Sequence, residues 1–217
     1  MIEVEQISMK LSTSLGNRLN KSNEEIEVLN YGLFTLIHTT IAMISTLLLG
    51  VMIGKVKEVV LISLSTALLK KYSGGVHASS PIRCLAIGLL VSFIAVNITT
   101  YLAIIYTPEV LFITTIIISI LSYYIIYKRA PVGSKNKPLK NESIRKKLRK
   151  NSIKVMNLYT VILLIMNIMC MNTDNYQYKT YTICIVTGIL IQVFSMTCIG
   201  EYVIHKLDIL LSKYFKL

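Results

Sequence analysis

A histidine and a cysteine, His77 and Cys84, lie seven positions apart in a short polar segment of the sequence. The segment, residues 70–84, separates two apolar stretches and contains a pair of adjacent glycines. A cysteine attacks a carbonyl carbon as its thiolate, and a neighbouring imidazole can take the thiol proton. The pattern therefore makes Cys84 a candidate nucleophile and His77 a candidate acceptor of its proton.

The residues after the histidine have the features of a helix start. Ser80 is a good N-cap residue and Pro81 suits the first helical position, so Cys84 is predicted in the first turn. The positive end of the helix dipole and the neighbouring Arg83 would both stabilise a thiolate there. We therefore expect the sulfur at a helix N-terminus, with Arg83 supporting the thiolate or binding substrate.

Other interpretations of this segment stay open. Gly74 and Gly75 permit positive φ and close backbone approach, so their N–H groups are candidates for binding an oxyanion or for supporting the turn. The histidine and cysteine can also be structural, one as a hydrogen-bonding side chain and the other as a small apolar one. A metal site has less support, because zinc takes about four ligands and only His38 and His205 remain as further histidines. We expect no metal and no other cofactor.

The composition indicates a membrane protein. Of 217 residues, 53% are hydrophobic and only 16% are charged, and the mean hydropathy is +0.61. The net charge is nevertheless +12, from 23 Lys and Arg against 11 Asp and Glu. An apolar chain with concentrated positive charge is typical of a membrane protein with basic cytoplasmic loops, rather than of a soluble or nucleic-acid-binding domain.

The apolar runs predict an all-α, polytopic transmembrane bundle. About six membrane segments are expected, at 29–53, 59–69, 85–106, 110–127, 155–171 and 181–200. The first four lie within 29–127, together with the catalytic turn 70–84, and 155–217 holds the last two and an amphipathic tail. With an amphipathic N-terminal region, 1–28, they would form one integral membrane domain over 1–217. The 59–69 run is short, so it is either a tilted span or a re-entrant helix.

Polar and thiol side chains inside these runs are expected to be structural. The mid-span amides are predicted to form hydrogen bonds between helices, at Asn97, Asn167 and Gln192. The remaining cysteines are expected to be inert small residues, at Cys170, Cys184 and Cys198.

The positive charge predicts the topology. Residues 128–154 are strongly basic and are placed in the cytoplasm by the positive-inside rule. In a six-segment arrangement the 70–84 turn and both termini are then cytoplasmic, and few basic residues face outward, namely Lys55, Lys57 and Lys179. If 59–69 is re-entrant, the N-terminus lies outside. The basic 128–154 loop is predicted to attract an acidic peptide, to bind the anionic inner leaflet, or both.

Two stretches of the sequence resemble a known family. Residues 70–78, Lys-Lys-Tyr-Ser-Gly-Gly-Val-His-Ala, followed by Cys84, resemble the signature of the accessory gene regulator B family. Residues 130–139, Ala-Pro-Val-Gly-Ser-Lys-Asn-Lys-Pro-Leu, resemble the family's Ala-Pro…Lys-Pro loop motif, which is represented here by Pro131, Lys137 and Pro138. Lys70 stands where the family often has arginine.

The resemblance implies a multi-pass cysteine endopeptidase of the bacterial cell membrane, with its active site on the cytoplasmic side. Cys84 would be the nucleophile and His77 its general base and acid, while Lys70 would support the thiolate or bind substrate. The implied substrate is a short amphipathic AgrD-like pro-peptide on the inner leaflet. Its C-terminal tail is cleaved through a Cys thioester, and the remainder closes to a quorum-sensing thiolactone or lactone.

The resemblance further implies a homodimer, in contact with membrane lipids and not with nucleic acid. The alternative from another class is a non-enzymatic transporter or channel module, in which the His-Cys turn is only a structural loop.

Overall fold

The computed structural model describes residues 2–133, 141–173 and 175–213, with side chains from residue 4 onward. Over these residues the chain forms eight helices and no regular strand. The helices are α1 (Ile2–Arg18), α2 (Asn23–Met52), α3 (Val56–Ser73), α4 (Pro81–Ile105), α5 (Pro108–Arg129), α6 (Glu142–Thr173), α7 (Tyr176–Phe194) and α8 (Cys198–Ser212). The predicted all-α fold is thus confirmed.

The membrane-type helices number four or five in the described part of the chain. By length and apolar composition, α2, α4, α5 and α6 can each cross a bilayer. α7 and α8 meet at an angle of 86°. This bent pair makes a fifth candidate if the two helices are counted as one broken span. The multi-pass character is therefore clear, but the predicted count of six is not reached by this criterion.

α3 contains the short apolar run predicted at 59–69 and extends it at both ends. Its 18 residues span about 27 Å. The charged residues lie near its two ends, and Val59, Ile62 and Leu69 between them are fully buried. α3 packs against α2, α4, α6 and α7. It is therefore an interior helix of the bundle, which explains why it can be less apolar than the helices that face lipid.

α3 and α7 approach each other closely at the centre of the bundle. At Gly188 a Cβ would lie 2.6 Å from Cβ of Ser65 and 2.7 Å from the carbonyl oxygen of Ile62, so only glycine fits. Tyr159 of α6 donates a hydrogen bond of 2.9 Å to the carbonyl oxygen of Ser65. The middle of α3, the helix that leads into the candidate catalytic turn, is thereby fixed against α6 and α7.

The last predicted segment, 181–200, is corrected by the structure. α7 ends at Phe194, and the chain turns into α8 although the sequence stays apolar. Thr197 caps α8 by accepting a hydrogen bond of 3.0 Å from the N–H of Gly200. A Cβ at Gly200 would lie 2.0 Å from the carbonyl oxygen of Phe194, so glycine permits the sharp corner. α8 exposes apolar side chains, as predicted for an amphipathic tail: Ile199, Tyr202, Val203, Ile209 and Leu210.

The N-terminal helices form a hairpin. Ser22 caps α2 in a capping box with Glu25. α1 folds back on α2, and at Gly16 a Cβ would lie 2.3 Å from Cγ1 of Ile26. The predicted amphipathic N-terminal region therefore contributes one separate helix, α1, and the first turns of α2.

The basic region predicted as the loop 128–154 is largely helical. Lys128 and Arg129 end α5, and α6 begins at Glu142. Asn141 accepts a hydrogen bond of 2.9 Å from the N–H of Ser143 at this start. The 32 residues of α6 span about 48 Å, more than a bilayer core of about 30 Å, so its basic first turns project beyond the membrane. Lys137 and Pro138 lie outside the described residues.

Candidate active site

The two predicted catalytic side chains lie in contact. Sγ of Cys84 is 3.7 Å from Nδ1 of His77, within hydrogen-bond reach of a thiol. Ser80 is the N-cap of α4 and Pro81 its first residue, as predicted, although the Ser80 side chain makes no capping hydrogen bond. The N–H of Cys84 donates to the carbonyl oxygen of Ser80 at 2.9 Å. The sulfur therefore lies at the beginning of a helix, beside an imidazole.

The surroundings of His77 keep its imidazole uncharged. Desolvation lowers the pKa of His77 to about 4, and the positive charge of Lys70 contributes in the same direction. At neutral pH the ring is therefore in the form that accepts a proton. With the proton of the neutral ring on Nε2, Nδ1 is the acceptor that faces the thiol.

Lys70 lies at this site, as predicted. It is in the last turn of α3, and its charge acts on both Cys84 and His77. A Cβ at Gly75 would lie 3.9 Å from Cε of Lys70, which places the lysine stem beside the glycine turn. Lys70 is thus a cation next to the reacting pair.

Arg83 has contacts other than those expected. Its Nε donates to Oδ1 of Asp208 at 2.7 Å, and the two side chains are only 12% and 11% exposed. The Asp208 carboxylate also accepts from the N–H of Ser79 at 3.2 Å and from its hydroxyl at 2.7 Å. The charge of Arg83, which the sequence predicts to support the thiolate or to bind substrate, is thus paired with Asp208 in this structure.

Sequence reasoning missed Asp208. The residue belongs to α8 and lies 125 positions beyond Arg83 in the chain. The available signal was an acidic side chain in a largely apolar and basic tail that also contains Glu201, and it did not indicate a partner.

The N–H groups of the glycine pair form hydrogen bonds within the protein. The N–H of Gly74 donates to the carbonyl oxygen of Lys70 at 3.0 Å. The N–H of Gly75 donates to the carbonyl oxygen of Val132 at 3.3 Å. The φ angles of the two glycines are +69° and +143°. A Cβ at Gly74 would lie 2.0 Å from the carbonyl oxygen of Val132. Both N–H groups are thus engaged in hydrogen bonds within the protein, as the turn-supporting one of the two predicted roles requires.

The two stretches that carried the family resemblance meet at this turn. Gly74 and Val132 form a parallel β-bridge, and the N–H of Val132 donates to the carbonyl oxygen of Ser73 at 2.9 Å. Ala130 and Pro131 are buried, and Nε of Arg149 donates to the carbonyl oxygen of Ala130 at 2.7 Å. Pro131 therefore belongs to a segment that supports the catalytic turn from the α5 side.

α7 supports the same turn from the other side. Nε2 of Gln192 donates to Oγ of Ser73 at 2.8 Å and to the carbonyl oxygen of Gly74 at 2.6 Å. The N–H of Val76 donates to the carbonyl oxygen of Ser195 at 3.4 Å. Of the three mid-span amides, Gln192 forms the predicted interhelical bonds, whereas the hydrogen bonds recorded for Asn97 and Asn167 are to their own helices.

The other thiols differ from Cys84. Cys170 and Cys184 are buried, and Cys198 is exposed with Nη2 of Arg129 at 3.1 Å from its sulfur. All four cysteines lie within the described ranges, and Cys84 is the one with an imidazole in hydrogen-bond reach. Across those ranges no three His, Cys, Asp or Glu side chains are grouped so that they could hold a metal ion.

Comparison with known proteins gives a consistent result. The model of the family described as accessory gene regulator B matches residues 8–196. AgrB-like protein 2 of Clostridium perfringens (strain 13 / Type A) is 31% identical over 211 residues, covering 97% of this chain and 99% of that protein. An AgrB-like protein of Clostridium perfringens (strain SM101 / Type A) is 29% identical with the same coverage. No solved structure matches the chain.

Proposed function

The chain belongs to the accessory gene regulator B family, and on this basis we propose that it is a membrane cysteine endopeptidase that matures a signalling pro-peptide. The observation that carries the proposal is the 3.7 Å contact between Sγ of Cys84 and Nδ1 of His77. A thiol in contact with an uncharged imidazole, at a helix N-terminus and near Lys70, has the parts that nucleophilic attack on an amide requires.

The first step forms an acyl-enzyme. His77 takes the thiol proton, and the Cys84 sulfur attacks the carbonyl carbon of the peptide bond before the acidic C-terminal tail. The tetrahedral intermediate collapses as the imidazolium gives its proton to the leaving amine. The tail departs with a new amino terminus, and the rest of the peptide stays on Cys84 as a thioester.

The second step closes a ring. A cysteine thiol or serine hydroxyl within the bound peptide attacks the thioester carbonyl, and His77 accepts its proton. The bond to Cys84 breaks, the sulfur is reprotonated from His77, and a thiolactone or lactone is released. Because thiol-for-thiol exchange conserves the acyl energy, this step proceeds readily if water is kept from the thioester. A site at the edge of the bilayer favours that exclusion.

The basic start of α6 supports an acidic tail as part of the substrate. A surface cavity of about 430 Å³ is lined by Glu142, Arg145, Lys146 and Arg149. A second of about 390 Å³ continues along the same helix past Lys150 and Lys154. Three of the four residues around the first cavity are cations, and this field attracts an acidic peptide. The same residues also fit the headgroups of an anionic inner leaflet.

The topology that fits this function has six crossing segments, with α3 as the second and α7 as the last. The 70–84 turn, the basic start of α6 and both termini then lie in the cytoplasm, in agreement with the positive-inside rule. The pro-peptide, an AgrD-like amphipathic chain, reaches the site from the inner leaflet. As in the family resemblance, the working unit is a homodimer.

The test is co-expression with a candidate pro-peptide, one with an amphipathic start, a central Cys or Ser and an acidic end. Mass spectrometry should detect the released tail and the cyclised product. Cys84→Ala should abolish both, and Cys84→Ser should leave at most a trace, because a hydroxyl is far harder to deprotonate near neutral pH. Cys198→Ser is the matched control and should cleave like the unchanged protein.

The same assay separates the rival functions. Cleavage by Cys84→Ala at the wild-type rate would refute the cysteine mechanism. Inhibition by a chelator but not by a thiol alkylator would indicate a metal-dependent protease instead. A transporter or channel module would show no Cys84-dependent tail release.

A further inference from the structure

The carboxylate of Asp208, on α8, binds one residue close in sequence to His77 and another close to Cys84. Asp208 accepts from the backbone and the side chain of Ser79, two positions after His77. It also accepts from the guanidinium of Arg83, the residue directly before Cys84. A hydrogen bond from Arg83 to the hydroxyl of Ser79 closes the group. We infer that Asp208 is a positioning residue, which holds His77 and Cys84 in their reactive alignment; this rests on the proposed function.

The burial of this ion pair distinguishes it from an incidental surface contact. The Arg83 and Asp208 side chains are 12% and 11% exposed, whereas those of Lys146 and Glu142 are 77% and 78% exposed. A buried ion pair contributes little net stability, but it fixes geometry when each oxygen has a donor. Both carboxylate oxygens of Asp208 have donors here.

Asp208 takes the place that an orienting acid has in a catalytic triad, but it works through the backbone. The described contacts of His77 include no carboxylate on the ring. Instead the chain is held on both sides of the histidine, by Ser195 at Val76 and by Asp208 at Ser79. One anchor, Ser195, lies at the α7–α8 corner, and the other, Asp208, lies near the C-terminal end of α8. The position of the ring relative to Sγ of Cys84 is therefore set by this corner and by α8.

α8 therefore has a role beyond membrane attachment. The match to the family model ends at residue 196, before α8 begins at Cys198. The C-terminal helix thus supplies a part of the active-site framework that the family model does not cover.

The experiment measures Cys84 alkylation and, separately, tail release in full-length protein in membranes. Both are measured in a Cys198→Ser background, so that Cys84 is the exposed thiol. Asp208→Ala should slow alkylation at neutral pH toward the rate of His77→Ala. It should lower kcat for tail release on the order of 10²-fold, the effect of about 1 Å of misalignment, with KM nearly unchanged. Asp208→Glu keeps the carboxylate, so this variant should retain most of the wild-type alkylation rate and most of the wild-type kcat.

Three comparisons keep the test specific. Glu201→Gln removes another acid of α8, one that is exposed, and should leave both rates unchanged. Arg83→Gln combined with Asp208→Asn should be no slower than Asp208→Asn alone, because that single change already breaks the ion pair with Arg83. Rates are normalised to the amount of folded protein, and Asp208→Asn, which keeps the side-chain shape, replaces Asp208→Ala if that variant fails to fold.

Unchanged alkylation and unchanged kcat in both Asp208→Ala and Asp208→Asn would overturn the inference. So would a rise in KM with kcat unchanged, which would indicate substrate contact rather than positioning. If the wild-type protein releases no tail from any pro-peptide tested, the proposed function fails. The alkylation rates still report whether Asp208 aligns His77 with Cys84.

Discussion

Sγ of Cys84 and Nδ1 of His77 lie 3.7 Å apart, one on a helix and the other on a loop held by three separate elements. The helix fixes the sulfur, because Cys84 is in the first turns of α4 behind Pro81. The loop depends on bonds to Val132, Ser195 and Asp208, from the segment after α5, the α7–α8 corner and α8. The reactive distance is thus a tertiary property, and each supporting element can be tested.

Replacing His77 by alanine removes the base that receives the thiol proton. We expect the rate of acyl-enzyme formation to fall by about 10²–10⁴-fold, the usual effect of losing an acid–base group. Single-turnover tail release, followed by mass spectrometry, measures this rate. His205→Ala is the control, since His205 is an exposed residue of α8, and its rate should match the unchanged protein. A His77→Ala rate within a few-fold of wild type would contradict the assignment.

The acid side of the pH profile should reflect the unusual pKa of His77. Because desolvation and then Lys70 lower this pKa to about 4, the ring stays unprotonated through mildly acidic pH. kcat/KM should therefore be lost only as the pH falls toward about 4, not near the ordinary histidine value of about 6.5. An acid limb near 6.5 would show that the ring is solvated in the working enzyme.

Lys70→Met should shift that acid limb to higher pH. Removing the positive charge stabilises the imidazolium, so the pKa of His77 rises, although desolvation remains the larger effect. The pH at which Cys84 alkylation slows on the acid side measures the shift in the pKa of His77 without a peptide substrate. Lys71→Met, one position further and exposed, is the control and should leave the limb in place. A limb that does not move in Lys70→Met would contradict the predicted interaction.

Gly74→Ala should inactivate the protein by displacing Val132, which belongs to the 130–139 stretch. The added Cβ would lie 2.0 Å from the carbonyl oxygen of Val132, and φ is +69°. Gly54→Ala is a matched control, because its φ is +66° but no atom lies within 4 Å of the new Cβ. Both substitutions impose backbone strain of about 1–3 kcal/mol. Tail release should therefore be lost in Gly74→Ala and largely kept in Gly54→Ala; equal activities would argue against the clash.

Gln192→Leu should weaken the fold at the catalytic turn. The amide donates to Ser73 and Gly74, and its loss removes both hydrogen bonds from a largely buried turn, at a cost of about 1–3 kcal/mol. Thermal denaturation in detergent measures the change, and tail release should fall with it. Asn97→Leu removes an exposed amide bonded within its own helix and should have little effect. A melting temperature as high as wild type in Gln192→Leu would exclude the anchoring role.

Local features of the site could be predicted from sequence, because they depend on residues that are close along the chain. The Ser80-Pro81 helix start, the Ser22 capping box and the proximity of His77 to Cys84 are of this kind. The partner of Arg83 was missed, since no spacing rule relates residues 125 positions apart. The two motifs that meet as Gly74 and Val132 were found separately, and their contact depends on how α3 and α5 pack.

The helix boundaries that were wrong have equally physical causes. The end of α7 at Phe194 lies inside an apolar run with no proline or charge, and it is set by the Thr197 cap and the bare backbone of Gly200. The start of α6 lies in the stretch for which the sequence predicts a loop, because that stretch is highly charged. In the structure it is helical, and Asn141 caps the beginning of the helix.

The right-angle corner before α8 has a consequence for the proposed function, in which the substrate is a peptide at the lipid surface. α8 exposes Ile199, Tyr202 and Leu210 on one side and binds Ser79 and Arg83 through Asp208 on the other. If this exposed apolar face lies in the headgroup layer, α8 would set the depth of the Cys84 sulfur relative to the membrane surface. A peptide lying in the same layer would present its scissile bond at that depth. The protein and the peptide would then meet by diffusion in the plane of the membrane instead of in three dimensions.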